Sequence, residues 1–140
     1  MANELDKLQD NLNYQFSDLG LLELALTHRS AEKNHNERLE FLGDSLLGFI
    51  VSDSLYQQHP SATEGELSRM RSSIVNNASL AAIAREMRLG DHLRLGSGES
   101  KSGGNERDSI LADSVEALIA SVYLDAGISA CIKFVNNWFA

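Results

Sequence analysis

Four acidic side chains stand where the sequence otherwise calls for burial. Residues 39–51 read L-E-F-L-G-D-S-L-L-G-F-I-V, apolar on nearly every face of a helix, yet Glu40 and Asp44 fall at i and i+4 and project together. Glu37 extends that acidic face by one turn. Residues 110–124, ILADSVEALIASVYL, carry only two charged side chains, Asp113 and Glu116, again on one face at i and i+3. A carboxylate buried without a partner costs on the order of several kcal/mol, or its pKa rises until it is neutral. Three remedies exist: basic side chains, shared protons or a metal ion. Neither segment places an arginine or lysine on its acidic face, and ionised carboxylates at i, i+4 repel one another. A cation resolves the conflict best. Oxygen-only ligands select hard ions, so Mg²⁺, with Mn²⁺ as a substitute, fits better than zinc, which favours histidine or cysteine. Solvent-exposed acidic stripes remain the plain alternative for either pair alone, and fit less well when both pairs lie in the two most apolar segments of the chain.

The elements that would position these acids are helices. Apolar residues recur at helical spacing and no β-branched alternation bounded by turns appears, so the sequence predicts an all-α fold. The expected helices cover about 4–12, 18–27, 37–58, 63–75, 77–89, 108–125 and 129 to the end. Ser17 or Asp18 can cap the second and His59-Pro60 stops the third. Thr63 and Glu66 form a capping box, Asn77 can cap the fifth helix, and Gly90 is placed as its left-handed terminator. Gly127 closes the penultimate helix and Ser129 can cap the last. The glycine-rich stretch 95–107, LGSGESKSGGNER, reads as a mobile loop.

Length and composition bound the function. With 140 residues, 43% hydrophobic residues and one proline, the chain suits a single globular domain able to bury roughly two thirds of its unfolded surface. Cys131 alone builds neither a disulfide framework nor a cysteine zinc site, and it suits a small core residue in a reducing compartment. No signal peptide and no uninterrupted apolar run of about 18 residues is visible, which disfavours secretion and membrane spanning. The net charge of −8 opposes non-specific phosphate binding, but seven of the 12 basic residues lie between positions 69 and 107 and leave a faint RNA signal. The end at Trp138-Phe139-Ala140, with large apolar residues, suggests a domain of a longer protein.

Other motifs carry less. His28, His35, His59 and His92 show no metalloprotease spacing, GSGESKS fails the phosphate-loop spacing at Ser100, and the sequon Asn77-Ala78-Ser79 lacks an export signal.

Residues 35–45, HNERLEFLGDS, resemble the signature of the ribonuclease III family, and ESKSGGNERDSILADSVEALIASVYLDAG resembles that family's second catalytic segment. ALTHRS at 25–30 fits as well, and the resemblance runs from about residue 8 to 138. It implies a helical endonuclease domain spanning 1–140, a homodimer, and Mg²⁺-dependent hydrolysis of double-stranded RNA to 5′-phosphate and 3′-hydroxyl ends in cytoplasmic RNA processing, without an organic cofactor or a membrane. It also implies that a double-stranded-RNA-binding domain, common after the nuclease domain in bacterial members, lies outside these residues. By position, Glu40, Asp44, Asp113 and Glu116 match the family's metal-binding carboxylates. Asp44 and Glu116, with Glu37 and Glu64, match its catalytic acids, and Phe41 matches an aromatic that enters a pocket of the other subunit. Asn76, Lys101 and Ser102 are the expected RNA contacts, with Lys101 reaching a phosphate from the glycine-rich stretch. Phe41, Leu47 and Phe49 are compatible with a subunit interface but would serve a monomer's core equally well. Two other classes compete: a non-catalytic RNA-binding dimer of the same fold, which has no reason to keep costly buried acids, and a small-molecule phosphohydrolase, which would typically use histidine-aspartate pairs.

Overall fold

The computed structural model describes residues 4–139, and within them eight helices are formed: α1 Glu4–Leu12, α2 Leu19–Ala25, α3 Glu37–Gln58, α4 Glu64–Ile74, α5 Asn77–Met87, α6 Ser97–Lys101, α7 Asp108–Ala126 and α8 Ile128–Phe139. The all-helical expectation holds; among the described residues the only β feature is one isolated parallel bridge, Thr27 with Arg94. No helix among them is long and apolar enough to cross a membrane.

The fold is organised around α7. Every residue from 114 to 122 is buried, because α3, α5, α8 and α2 pack around it on all sides. Such a helix must be apolar all round. Its two buried hydroxyls are satisfied within the protein: Ser114 Oγ donates to the Ile110 carbonyl at 2.9 Å, and Ser121 Oγ lies 3.0 Å from both the Ala117 and Leu21 carbonyls. Cys131 is buried against the same helix, 3.7 Å from the Ile119 carbonyl, and burial pushes its thiol up to about 11, so it behaves as a core residue. Of the two roles open to them, Leu47 takes the core, where it is fully buried, whereas Phe49 is 59% exposed.

Local signals set most helix ends. Asp18 accepts from the Gly20 amide at 2.9 Å, Thr63 and Glu66 form the reciprocal capping box, and α3 stops before His59-Pro60. Four expectations need correction. Asn76, not Asn77, caps α5, since its carboxamide oxygen accepts from the Ser79 amide at 2.8 Å. Arg88 rather than Gly90 takes the left-handed position (φ 62°), and the chain continues into a 3₁₀ turn, Leu89–His92. Helix α8 begins at Ile128, immediately after Gly127, so Ser129 lies inside its first turn.

The fourth correction bears on function. The glycine-rich stretch is not an open loop: it folds into α6 and a 3₁₀ turn, Gly104–Glu106. Two of its four glycines serve close packing: a Cβ on Gly96 would lie 2.2 Å from the Ser30 carbonyl oxygen, and one on buried Gly104 would lie 2.7 Å from Cγ of Glu99. The Gly96 amide donates to Ser30 Oγ at 2.9 Å, tying the stretch to the connection between α2 and α3.

Where α3 crosses α7 the two helices approach closely at Gly43. A Cβ built on Gly43 would lie 1.7 Å from the backbone oxygen of Glu116, so only glycine permits this approach. Backbone cannot move aside as a flexible side chain can. Gly43→Ala is therefore expected to destabilise the protein by about 3 kcal/mol or more, at or beyond the upper end of ordinary overpacking, in a urea-unfolding titration.

Candidate metal centre

The α3–α7 crossing brings the two acidic faces together. Glu40 and Asp44 come from α3, Asp113 and Glu116 from α7, and oxygens of Glu40, Asp113 and Glu116 all lie within 4.8 Å of one another. The first turn of α3 is anchored by Asn36, whose backbone amide donates to the Thr27 carbonyl and whose buried carboxamide donates to the Ala25 carbonyl, each at 2.9 Å. The Thr27–Arg94 bridge fixes the same connection from the other side, with His28 N–H to Arg94 O at 3.0 Å and Arg94 N–H to Leu26 O at 2.8 Å. His28 and Arg29 are thereby set on the rim of a cleft of about 260 Å³ whose walls also include Glu37, Glu40, Glu99, Arg107 and Asp113.

Burial and crowding act on these acids in the same direction. Glu116 is the most enclosed, 8% exposed, and desolvation first, then its hydrogen bond to Asp44 and the charges of Asp44, Asp113 and Glu40, push it up to about 9. Glu40 is pushed up to about 7 by desolvation and then by Asp113, with Glu37 and Asp44 adding to the effect. Asp113 is raised by desolvation, against the pull of a hydrogen bond from Glu40 and the positive influence of His28 and Arg29. The cluster is thus two acid pairs across the helices, Glu40 with Asp113 and Glu116 with Asp44, and sharing a proton within each pair is what raises Glu40 and Glu116 beyond burial alone. Shared protons and a divalent cation are alternative answers to one electrostatic problem, and a donor set made only of carboxylate oxygens fits a hard ion.

The other expected site residues are placed as follows. Asp44 is exposed although it pairs with Glu116, so it is the cluster's link to solvent. Glu37 stands at the rim rather than in the cluster, 3.6 Å from Arg29 and 3.8 Å from His35, which supplies the basic partner that its own helix lacks. Glu64 begins α4, exposed, and does not line the cleft. Asn76 is exposed but engaged in capping, its amide also donating to the Ser72 carbonyl at 2.8 Å. Ser102 Oγ donates to the Glu99 carbonyl at 3.1 Å, and Lys101 is exposed at the end of α6. Phe41 projects 77% exposed beside an apolar groove that includes Leu21, Leu24, Leu42 and Leu124.

His28, Arg29, Glu99 and Arg107 are the cleft residues that sequence reasoning missed. No spacing marks them, because none lies at a helical repeat from the acids; only the tertiary fold brings them to one wall. The basic cluster between 69 and 107 is also largely consumed. Arg85 pairs with Asp108 at 2.7 Å, Arg88 with Asp91 at 3.5 Å, Arg94 with Glu23 at 3.0 Å, and Arg107 with Glu99.

An all-helical fold with a carboxylate centre shared by two crossing helices narrows the class, and comparison with known proteins defines it. The chain belongs to the ribonuclease-III-like family, whose profile matches residues 18–140. It is 55% identical over 139 residues to Ribonuclease 3 of Vibrio campbellii and 58% identical over 135 residues to that of Shewanella amazonensis, covering 99% and 96% of this chain. It spans 62% and 60% of the length of those relatives. Among solved structures, the nuclease domain of ribonuclease III from Campylobacter jejuni superposes with a TM-score of 0.95 at 39% identity, covering 97% of this chain and 96% of that one; it is described as flexible in a region involved in dimer formation. Dicer from Pichia stipitis matches with a TM-score of 0.69 at 28% identity, over 89% of this chain and 55% of that one.

The pKa pattern fixes the sign of a stability test. Glu40 and Glu116 both lie above the ordinary 4.5 of a glutamate, so the folded chain holds protons that the unfolded chain releases. In metal-free buffer, the contribution of these groups is fully present at and below pH 4.5 and is lost as pH rises from there to about 7 for Glu40 and to about 9 for Glu116. Melting curves across this range should show the decline, and Mg²⁺ or Mn²⁺ should offset it most at the alkaline end, where the protons it displaces are already leaving. Glu116→Gln should melt no lower than wild type in EDTA and gain less from the metal. A marked loss of stability for that variant in EDTA would instead reveal a structural partner for Glu116.

Proposed function

We propose that the domain is a Mg²⁺-dependent endoribonuclease that hydrolyses double-stranded RNA. The observation that carries this reading is the convergence of Glu40, Asp113 and Glu116 oxygens within 4.8 Å, with Glu40 and Asp113 lining the cleft and Asp44 paired to Glu116, in a chain of the ribonuclease-III-like family. Mn²⁺ would substitute. RNA as the substrate is supported by the names of the relatives, and its double-stranded form by the resemblance of the two acidic motifs; cytoplasmic RNA processing is the corresponding setting.

In this reading Glu40, Asp44, Asp113 and Glu116 hold the metal. A divalent ion held there supplies Lewis-acid chemistry, neutralising phosphate charge and making water a stronger acid and its conjugate base available near neutral pH. The carboxylates themselves do the rest of the positioning. Glu116, enclosed and carrying a proton up to about 9, must release it before it can act as a ligand, so productive binding is coupled to proton loss. Water attacks phosphorus, the bond to the 3′ oxygen breaks, and the products are a 5′-phosphate and a 3′-hydroxyl. Glu37, on the rim with Arg29, is assigned to the approach of the RNA near the scissile bond; Glu64, which does not line the cleft, is assigned there on the resemblance of the motifs alone.

Recognition of a duplex rests on shape, 2′-hydroxyls and phosphates rather than base edges. Asn76, Lys101 and Ser102 are the proposed contacts, and Lys101 is the strongest of them because its ammonium is exposed and makes no ion pair among the described residues. The proposed enzyme is a homodimer in which Phe41 enters the apolar groove of the other copy; its exposure beside a groove of about 720 Å³ supports this arrangement.

The decisive experiment is cleavage of a labelled perfect RNA duplex at low salt with Mg²⁺, beside EDTA and Glu116→Gln. Metal-dependent cutting is expected, with the variant losing more than the roughly 100-fold that even an outer-shell partner of a metal can cost. A folded, dimeric protein that binds duplex RNA and never cuts it would establish the binding-only member of the fold instead. In a separate titration, Lys101→Ala should weaken duplex binding and reduce its salt slope by about 1, the signature of one lost phosphate contact. An unchanged slope removes Lys101 from the interface.

A further inference from the structure

The cleft contains a guanidinium that could spoil it. Arg107 immediately precedes α7 and lines the same cleft as Glu37, Glu40 and Asp113. Arginine is always charged and its planar fork matches carboxylates, so an unrestrained Arg107 would be a resident competitor for a divalent cation. The structure holds it elsewhere. Its Nη1 donates to the Glu99 carboxylate and its Nη2 to the Ser102 carbonyl at 3.3 Å. Glu99 is in turn held: Ser102 Oγ lies 3.4 Å from its Oε2, buried Gly104 packs against its Cγ, and its side chain is only 22% exposed. Arg29 already has its partner in Glu37. Among the arginines lining the cleft, Arg107 is therefore the one whose restraint depends on the folded glycine-rich stretch.

We propose that Glu99 is a positioning residue for the metal centre: by holding Arg107 in an ion pair on the cleft wall, it keeps that guanidinium from occupying the cation's place against Glu40 and Asp113. This rests on the metal reading given above. It assigns the short helix α6 and the turn after it a role that their sequence did not suggest, since their close packing is what holds the acceptor in place. A neutral residue at 99 leaves Arg107 free to turn toward the acids. Removing Arg107 as well removes the competitor and returns the local net charge to that of the native pair.

The test is a double-mutant cycle on Mn²⁺ affinity, measured by calorimetry with wild type, Glu99→Gln, Arg107→Gln and the double variant, each checked for folding by its melting curve in EDTA. Glu99→Gln is expected to bind Mn²⁺ about tenfold more weakly or worse, an effect of the size seen for residues that orient metal ligands. Arg107→Gln and the double variant are expected to bind within about twofold of wild type, so that the two substitutions are strongly non-additive. Wild-type affinity in Glu99→Gln overturns the proposal. So does a double variant as weak as Glu99→Gln, which would mean that Glu99 itself serves the ion. Strict additivity, in which Arg107→Gln tightens binding as much as Glu99→Gln loosens it, also overturns it, because a general electrostatic field then suffices. Failure of wild type to bind Mn²⁺ at all would overturn the metal reading and this proposal together.

Discussion

The structure depends on how closely α3 can approach α7. At Gly43 the helices touch backbone to side-chain position, with the Glu116 carbonyl where any other residue would carry its Cβ. The four clustered acids all lie within one turn of that contact. Glu40 and Asp44 flank Gly43 on α3, and Glu116 supplies both the opposing backbone and one of the acids. A wider crossing would leave four carboxylates on two separate helix faces, each near water. The close one forces them to share protons or a cation.

That arrangement opposes stability, and the surrounding structure offsets it. Desolvation is the largest cause of the raised pKa at Glu40, Asp113 and Glu116 alike, so each acid is held in a place that favours its neutral form. The offset comes from α7, whose residues 114 to 122 are all buried, and from a core that runs from Leu8 in α1 to Val135 in α8. Rigid helices on both sides also hold the acids against the repulsion that would otherwise spread them.

Much of this could be read from the chain, for reasons that differ by residue. Helix identity followed from apolar spacing, and the ends at Asp18, Thr63 and Pro60 from local chemistry that acts within three or four residues. The acid pairs were visible because i, i+3 and i, i+4 spacing is itself a statement of proximity. What was hidden is tertiary. That Leu47 is core and Phe49 exposed depends on which face of an almost uniformly apolar helix meets α7. That Glu37 leaves the cluster for Arg29 depends on the path of the α2–α3 connection, which Asn36 and the Thr27–Arg94 bridge determine.

The glycine-rich stretch shows the limit of composition most clearly. Four glycines in ten residues imply freedom when each is judged by its own backbone, but Gly96 and Gly104 are small because neighbours press on them. Held at those two points, the stretch forms part of the cleft wall. It can then hold a carboxylate at a fixed place, which a loop could not do without losing the entropy of ordering at each encounter. Close packing of glycine thus serves the same end at two points of the molecule: at Gly43 it brings the acids together, and at Gly104 it fixes the acid that restrains the neighbouring arginine.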